Sequence, residues 1–191
     1  KLLIVLALVT SVASFSAGTA EVRVGLDVNS KFKDDSNGTT QTTYSNDVKT
    51  SWELAAEYRM PVWNNLELGA GLAYQSHGKM ELSDGDLKMY DSVPLYVTAR
   101  YNFVNKSEFK PYAKMNLGFQ VDIDMNAKNG LYAAIGGGVE YKGYTADLSY
   151  QTNYSSLSAD YSVAGTSLGS EDLGNMNFNR ITLGLGYNFG L

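Results

Sequence analysis

The segment Ile181-Thr182-Leu183-Gly184-Leu185-Gly186-Tyr187-Asn188-Phe189 places large apolar residues at every odd position and small or polar residues between them. A period of two belongs to the β-strand, whose successive side chains point to opposite faces. Working outward, the same pattern recurs in 22–28, 52–60, 66–74, 93–103, 113–121, 131–141 and 144–150. Eight strands are therefore expected, and none of their apolar faces carries a charge. The opposite faces read differently. They hold Gly25, Gly69, Gly71, Gly118, Gly136, Gly138, Gly184 and Gly186 among charges of both signs.

That second face decides which side is inside. A water-soluble barrel or sandwich must bury the large apolar set and show the polar set to solvent. Small residues interspersed with charges suit a narrow, crowded interior instead, and an eight-stranded barrel has just enough lumen for its side chains to fill. The expected lumen charges are Arg23, Arg59, Arg100, Lys114 and Arg180 against Asp27, Glu53, Glu57, Glu67, Glu140 and Asp147. Five bases against six acids can pair almost to neutrality, which buried charge requires.

The connections point the same way. Long ones are expected at 29–50, 76–90, 122–130 and 152–178, alternating with short ones at 61–65, 104–111 and 142–143. Short turns at one end and long loops at the other are the asymmetry of outer-membrane barrels. Aromatics gather at both ends of the apolar faces. Tyr58, Tyr101, Phe103, Tyr141, Tyr144, Tyr187 and Phe189 lie toward the short turns, and Trp52, Tyr74, Phe119 and Tyr150 toward the long loops. Amphipathic rings favour the headgroup layer on each side of a bilayer. Pro94 is the misfit: it withholds a ladder hydrogen bond, and a bulge near the loop-side rim is the expected accommodation.

Lys1 is followed by the apolar run Leu2–Val9 and by small residues through Ser16-Ala17-Gly18-Thr19-Ala20. A basic start, an apolar stretch of about 7–15 residues and a small-residue exit describe a secretory signal peptide. Residues 1–20 are expected to be removed after Ala20, leaving 21–191 as the barrel. Spanning a bilayer as a helix takes about 20 apolar residues, and Thr10, Ser11, Ser14 and Ser16 interrupt this run.

The composition removes several chemistries. With no Cys there is no disulfide or thiolate, and one His leaves no multi-histidine metal site. A formal net charge of -5 lacks the basic footprint of a nucleic-acid partner. His77, in the second long loop, is the single acid/base candidate of near-neutral pKa. The clusters Asp34-Asp35-Ser36-Asn37-Gly38 and Ser83-Asp84-Gly85-Asp86 fail calcium-loop spacing and read as turns. No catalytic residue, cofactor or metal is expected.

Taken together, the chain resembles the small eight-stranded outer-membrane proteins of the OmpA/OmpX/Ail and opacity-protein type. The resemblance covers about residues 20–191. It implies an all-β, eight-stranded antiparallel up-and-down transmembrane β-barrel in the bacterial outer membrane, with lipid as its surroundings. It also implies that the terminal stretch Leu183–Leu191 is read by the barrel-assembly machinery, although Leu191 stands where that family usually has Phe. The function so implied is a non-catalytic structural or surface-exposed barrel whose long loops meet an extracellular or host ligand. A narrow porin-like channel for ions or small hydrophobic compounds is the alternative, and a lipid-modifying enzyme using His77 is a third reading.

Overall fold

A computed structural model describes residues 18–34, 42–44, 51–76, 79–82, 85–88, 91–104, 106–122, 130–163 and 166–190. Eight long strands close into a barrel: β1 (Thr19–Asp34), β3 (Trp52–Trp63), β4 (Leu66–Ser76), β7 (Asp91–Asn102), β8 (Phe109–Asp122), β9 (Gly130–Tyr141), β10 (Tyr144–Val163) and β11 (Thr166–Gly190). Each pairs antiparallel with its neighbours in chain order, and β11 pairs back onto β1. Closure leaves no edge among these eight over the barrel itself, which is how a sheet satisfies its backbone away from water. Three short strands lie at the loop end. β2 (Thr42–Tyr44) extends the sheet beside β1, and β5 (Lys79–Leu82) forms a hairpin with β6 (Gly85–Lys88).

The burial pattern is inverted relative to a protein in water. Leu95, Val97 and Phe119 are 56%, 63% and 67% exposed, whereas Arg59 and Arg100 are 0% and 1% exposed. A contiguous apolar exterior around a charged interior is at equilibrium only in an apolar surrounding. No helix among the described residues is long and apolar enough to cross a membrane; the crossing is made by strands.

Local sequence explains the joints. Lys142-Gly143 connects β9 to β10 with φ of 51° and 87°, the left-handed pair that a two-residue hairpin needs to match strand twist. A bulge at Val28 shifts β1 against β11, and another at Val62 shifts β3 against β4. Pro94 is handled without the expected bulge. The β4–β7 ladder pairs Leu72 with Leu95 and resumes at Gln75 with Ser92 in unchanged register, leaving the stretch beside Pro94 unpaired. The missing N–H thus opens the ladder locally instead of displacing it.

The fourth expected loop, 152–178, is corrected. Most of it is strand: β10 runs to Val163 and β11 begins at Thr166, paired from Tyr144↔Tyr187 up to Val163↔Thr166 with bulges near Leu157 and Tyr161. At 20 and 25 residues, both strands far exceed the 9–11 that a tilted strand needs to cross. The polar run Gln151-Thr152-Asn153 and then Ser155-Ser156 interrupts the apolar alternation, but backbone pairing does not require it. The expected connections 29–50 and 76–90 also contain strand, at β2 and at the β5–β6 hairpin, whereas residues 123–129 of the expected connection 122–130 lie outside the described residues.

Candidate functional site

The barrel's interior is the site that the fold builds, and its side chains come from all eight long strands. At the short-turn end Arg59 (β3) is the hub. Its guanidinium donates to Glu21 at 2.5 Å, Glu57 at 2.6 Å, Glu67 at 3.1 Å and Asn188 at 2.9 Å. Arg100 (β7) donates to Glu140 at 2.5 Å and to Asn102 at 2.8 Å, and lies 3.9 Å from the centroid of the Tyr112 ring. Lys114 (β8) reaches Glu57 at 3.2 Å.

Nearer the loops Arg23 (β1) is the second hub, paired with Glu53 and, at 2.6 Å, with Asp147. Arg180 (β11) lies 3.6 Å from Glu53 and 3.8 Å from Asp27 and donates to Gln151 at 2.6 Å. Thr182 donates to Asp27 at 2.6 Å. Beyond them comes a layer of amides. Gln75 donates to Glu53 at 3.1 Å, Asn153 donates to Gln75 at 3.0 Å, and Asn153 also meets Gln120. Gln75, Gln120 and Asn153 are each fully shielded, as is Phe178 at the same end.

Size complementarity between neighbouring strands makes this filling fit. Tyr96 stands between Gly71 and Gly118 in the register, and Asp147 between Gly138 and Gly184. A Cβ added to Gly71 would come within 2.7 Å of the Tyr96 ring, and one added to Gly184 would meet the Arg23 guanidinium. Glycine is required there because a long side chain on another strand occupies its space.

The structure brings all eleven expected lumen charges into this interior: Arg23, Asp27, Glu53, Glu57, Arg59, Glu67, Arg100, Lys114, Glu140, Asp147 and Arg180. Sequence reasoning missed Glu21, which is 2% exposed and held by Arg59 and by Thr145 at 3.0 Å. Extending the parity of Arg23 and Gly25 one step back would have found it. The inward parity already held Tyr96, Gln120 and Tyr132, whereas buried Gln75, Tyr112, Gln151 and Asn153 lie just beyond the strand ends expected from sequence.

On the outer surface the expected aromatics form ring pairs near the turn end. These are Tyr144 with Tyr187 at 4.9 Å, Tyr187 with Phe189 at 4.8 Å, and Tyr101 with Phe103 at 5.2 Å. Tyr141 stacks on Phe109 at 4.7 Å, a residue assigned from sequence to a connection. Trp52 and Tyr74 pair at 5.5 Å near the loops, where Phe119 and Tyr150 are exposed. Tyr58 is half-buried beside Gly18, and Trp63 is 76% exposed. His77, Asp35 through Gly38, Ser83 and Asp84 lie outside the described residues. No cluster among the described residues could hold a metal ion.

Chemically, this interior pairs its carboxylates with guanidinium or ammonium groups and fills the cross-section with side chains. It suits a plug. Residues 2–189 match the outer membrane protein beta-barrel domain family. An uncharacterised protein of Pasteurella multocida (strain Pm70) is 27% identical, with 67% of this chain and 73% of that protein covered. Among solved structures the fold is similar to that of the outer membrane enzyme PagL, with a TM-score of 0.54 and 12% identity over 87% of this chain and 98% of PagL. It is similar too to the outer membrane protein AlkL, with a TM-score of 0.52 and 12% identity over 93% and 92%. At such identities these two likenesses speak for the fold alone.

Proposed function

Because the chain belongs to the outer membrane protein beta-barrel domain family and is a closed eight-stranded barrel of the bacterial outer membrane, we propose that it is a non-catalytic scaffold whose long loops and extended β10–β11 hairpin present a surface to the cell exterior. The observation that supports this most is the lumen. Charged and amide side chains from facing strands bridge its full width, with Arg59, Gln75, Gln120 and Asn153 shielded completely. A continuous passage for ions would need gaps in that network, since a barrel this narrow is filled by its own side chains. The aromatics Trp52, Tyr58, Tyr74, Tyr101, Phe103, Phe119, Tyr141, Tyr144, Tyr150, Tyr187 and Phe189 are assigned to the two headgroup layers.

Single-channel recording in planar bilayers tests the reading. The purified barrel is expected to add no discrete openings to the bare-bilayer current, and sustained openings would turn the assignment to a narrow channel. Mass spectrometry of lipid A from cells expressing the protein or its His77→Ala variant addresses catalysis. Identical lipid A profiles are expected, and a modification lost with His77 would make the protein an enzyme.

Residues 1–20 are assigned as a signal peptide cleaved after Ala20. Thr19 and Ala20 pair with Gly190 and Phe189 in the barrel, so N-terminal sequencing of the membrane-inserted protein is the direct check, with Glu21 expected first. The strand ending at Gly190 is assigned as the segment that the barrel-assembly machinery reads, and an extracellular or host ligand is assigned to the loop end.

A further inference from the structure

The ion pairs of the lumen divide into two sets along the barrel. Arg23 with Glu53 and Asp147, and Arg180 with Glu53 and Asp27, lie toward the loops. Arg59 with Glu21, Glu57 and Glu67, Lys114 with Glu57, and Arg100 with Glu140 lie toward the turns. Each of these pairs stays within its own set. What joins the sets is aromatic. Tyr112 donates its hydroxyl to Asp147 at 3.1 Å while its ring carries the Arg100 guanidinium. Tyr96 donates to Glu57 at 3.0 Å, Tyr132 donates to Gln151 at 3.3 Å, and their ring centroids are 5.4 Å apart.

Between the two sets lies a cavity of about 20 Å³, lined by these three tyrosines, Lys114 and Asn116 and bordered by Gly136. Gly136 sits opposite both Lys114 and Ser149 in the register, and β10 lies so close to it that an added Cβ would fall 2.5 Å from the Leu148 carbonyl oxygen. One water needs roughly 10–15 Å³ and two to four polar partners, and the phenol hydroxyls, the ammonium and the Asn116 amide supply them.

We propose that the lumen is closed by two barriers in series with a hydrated chamber between them, so that the turn-side barrier can open to the periplasm while the loop-side barrier stays shut. Opening the turn-side set breaks Arg59, Arg100 and Lys114 from their carboxylates and leaves Arg23–Glu53–Asp147 and the amide layer whole. The proposal rests on the closed lumen argued above.

The chain has no cysteine, so Asn116→Cys places one thiol in the chamber. The test sets this substitution in the unmodified barrel and in a turn-side variant, Glu21→Ala, Arg59→Ala, Arg100→Ala and Glu140→Ala, which removes two bases with two acids. Both are inserted in one orientation in phosphatidylcholine vesicles and exposed to a membrane-impermeant thiol reagent from either face. Migration that differs between boiled and unheated samples identifies folded protein, and the milder pair Arg100→Gln with Glu140→Gln carries the same expectation if the larger set does not fold.

In the turn-side variant, labelling from the turn face is expected to rise about tenfold, because thiol reactivity follows exposure. Labelling from the loop face and the bilayer current should stay at the level of the unmodified barrel. Equal labelling from both faces, or current through the turn-side variant alone, would make the lumen one continuous plug. No rise in labelling would remove the chamber. Current through the unmodified barrel would instead overturn the closed lumen itself.

Discussion

The lower and upper parts of β10 share one backbone and differ in their surroundings. From Tyr144 to Tyr154 the strand is paired on both sides, to β9 and to β11. Its side chains there alternate between Tyr144, Leu148 and Tyr150, at 67%, 52% and 50% exposure, and Thr145, Asp147 and Gln151, at 3%, 6% and 1%. From Ser155 to Val163 it is paired to β11, with no β9 partner among the described residues. In the sequence, the apolar positions change parity between the halves: even at Ala146 and Leu148, odd at Leu157, Ala159, Tyr161 and Val163. Polar residues at both parities separate the two phases. The alternation therefore reports the lipid slab and the lumen, and the hydrogen-bonded ladder continues past it.

The sharpest way to break the comparison is at Asp147, the acid that anchors Arg23 and accepts from Tyr112. Asp147→Ala leaves a buried guanidinium short of a partner and is expected to cost about 3–5 kcal/mol, read from reversible urea unfolding in lipid vesicles. A loss below ~1 kcal/mol would mean that water already compensates the lumen charges. Next in size is the neighbouring outward position. Leu148→Arg is expected to cost about 2–4 kcal/mol if it lies near the bilayer midplane, by the same measurement. The smallest effect belongs to the upper half, where Leu157→Arg should fall within about 0.5 kcal/mol of the parent. A cost there as large as that at Leu148 would put the upper hairpin in lipid and abolish the distinction.

The same contrast explains what was legible in the sequence. All eight barrel strands could be read, because each turns one face to lipid and the other to the lumen. The Tyr144–Val163/Thr166–Gly190 hairpin could not be read to its tip, because the break at Gln151–Ser156 looks like a loop once lipid-facing residues are the only guide. The lumen set was legible as a face. Parity along a strand assigns Arg23, Glu57 and Arg100 to the interior without saying which acid meets which base. The same parity puts Tyr96 and Tyr132 inside, but Tyr112 precedes the stretch read as strand. Only the register, which sets Tyr96 between Gly71 and Gly118, shows how such rings find room.

By itself, then, the sequence determined an exported, eight-stranded barrel with an apolar exterior and a charged, glycine-lined interior, since period-two patterning is a local property of each strand. The tertiary structure alone decided that Arg23 pairs with Asp147 across 124 residues of chain, that Arg59 gathers Glu21, Glu57 and Glu67, and that three tyrosines help line a cavity between two ion-pair sets. Those outcomes depend on inter-strand register and barrel closure. Both are fixed by how all eight strands fit together, and no single segment carries that information.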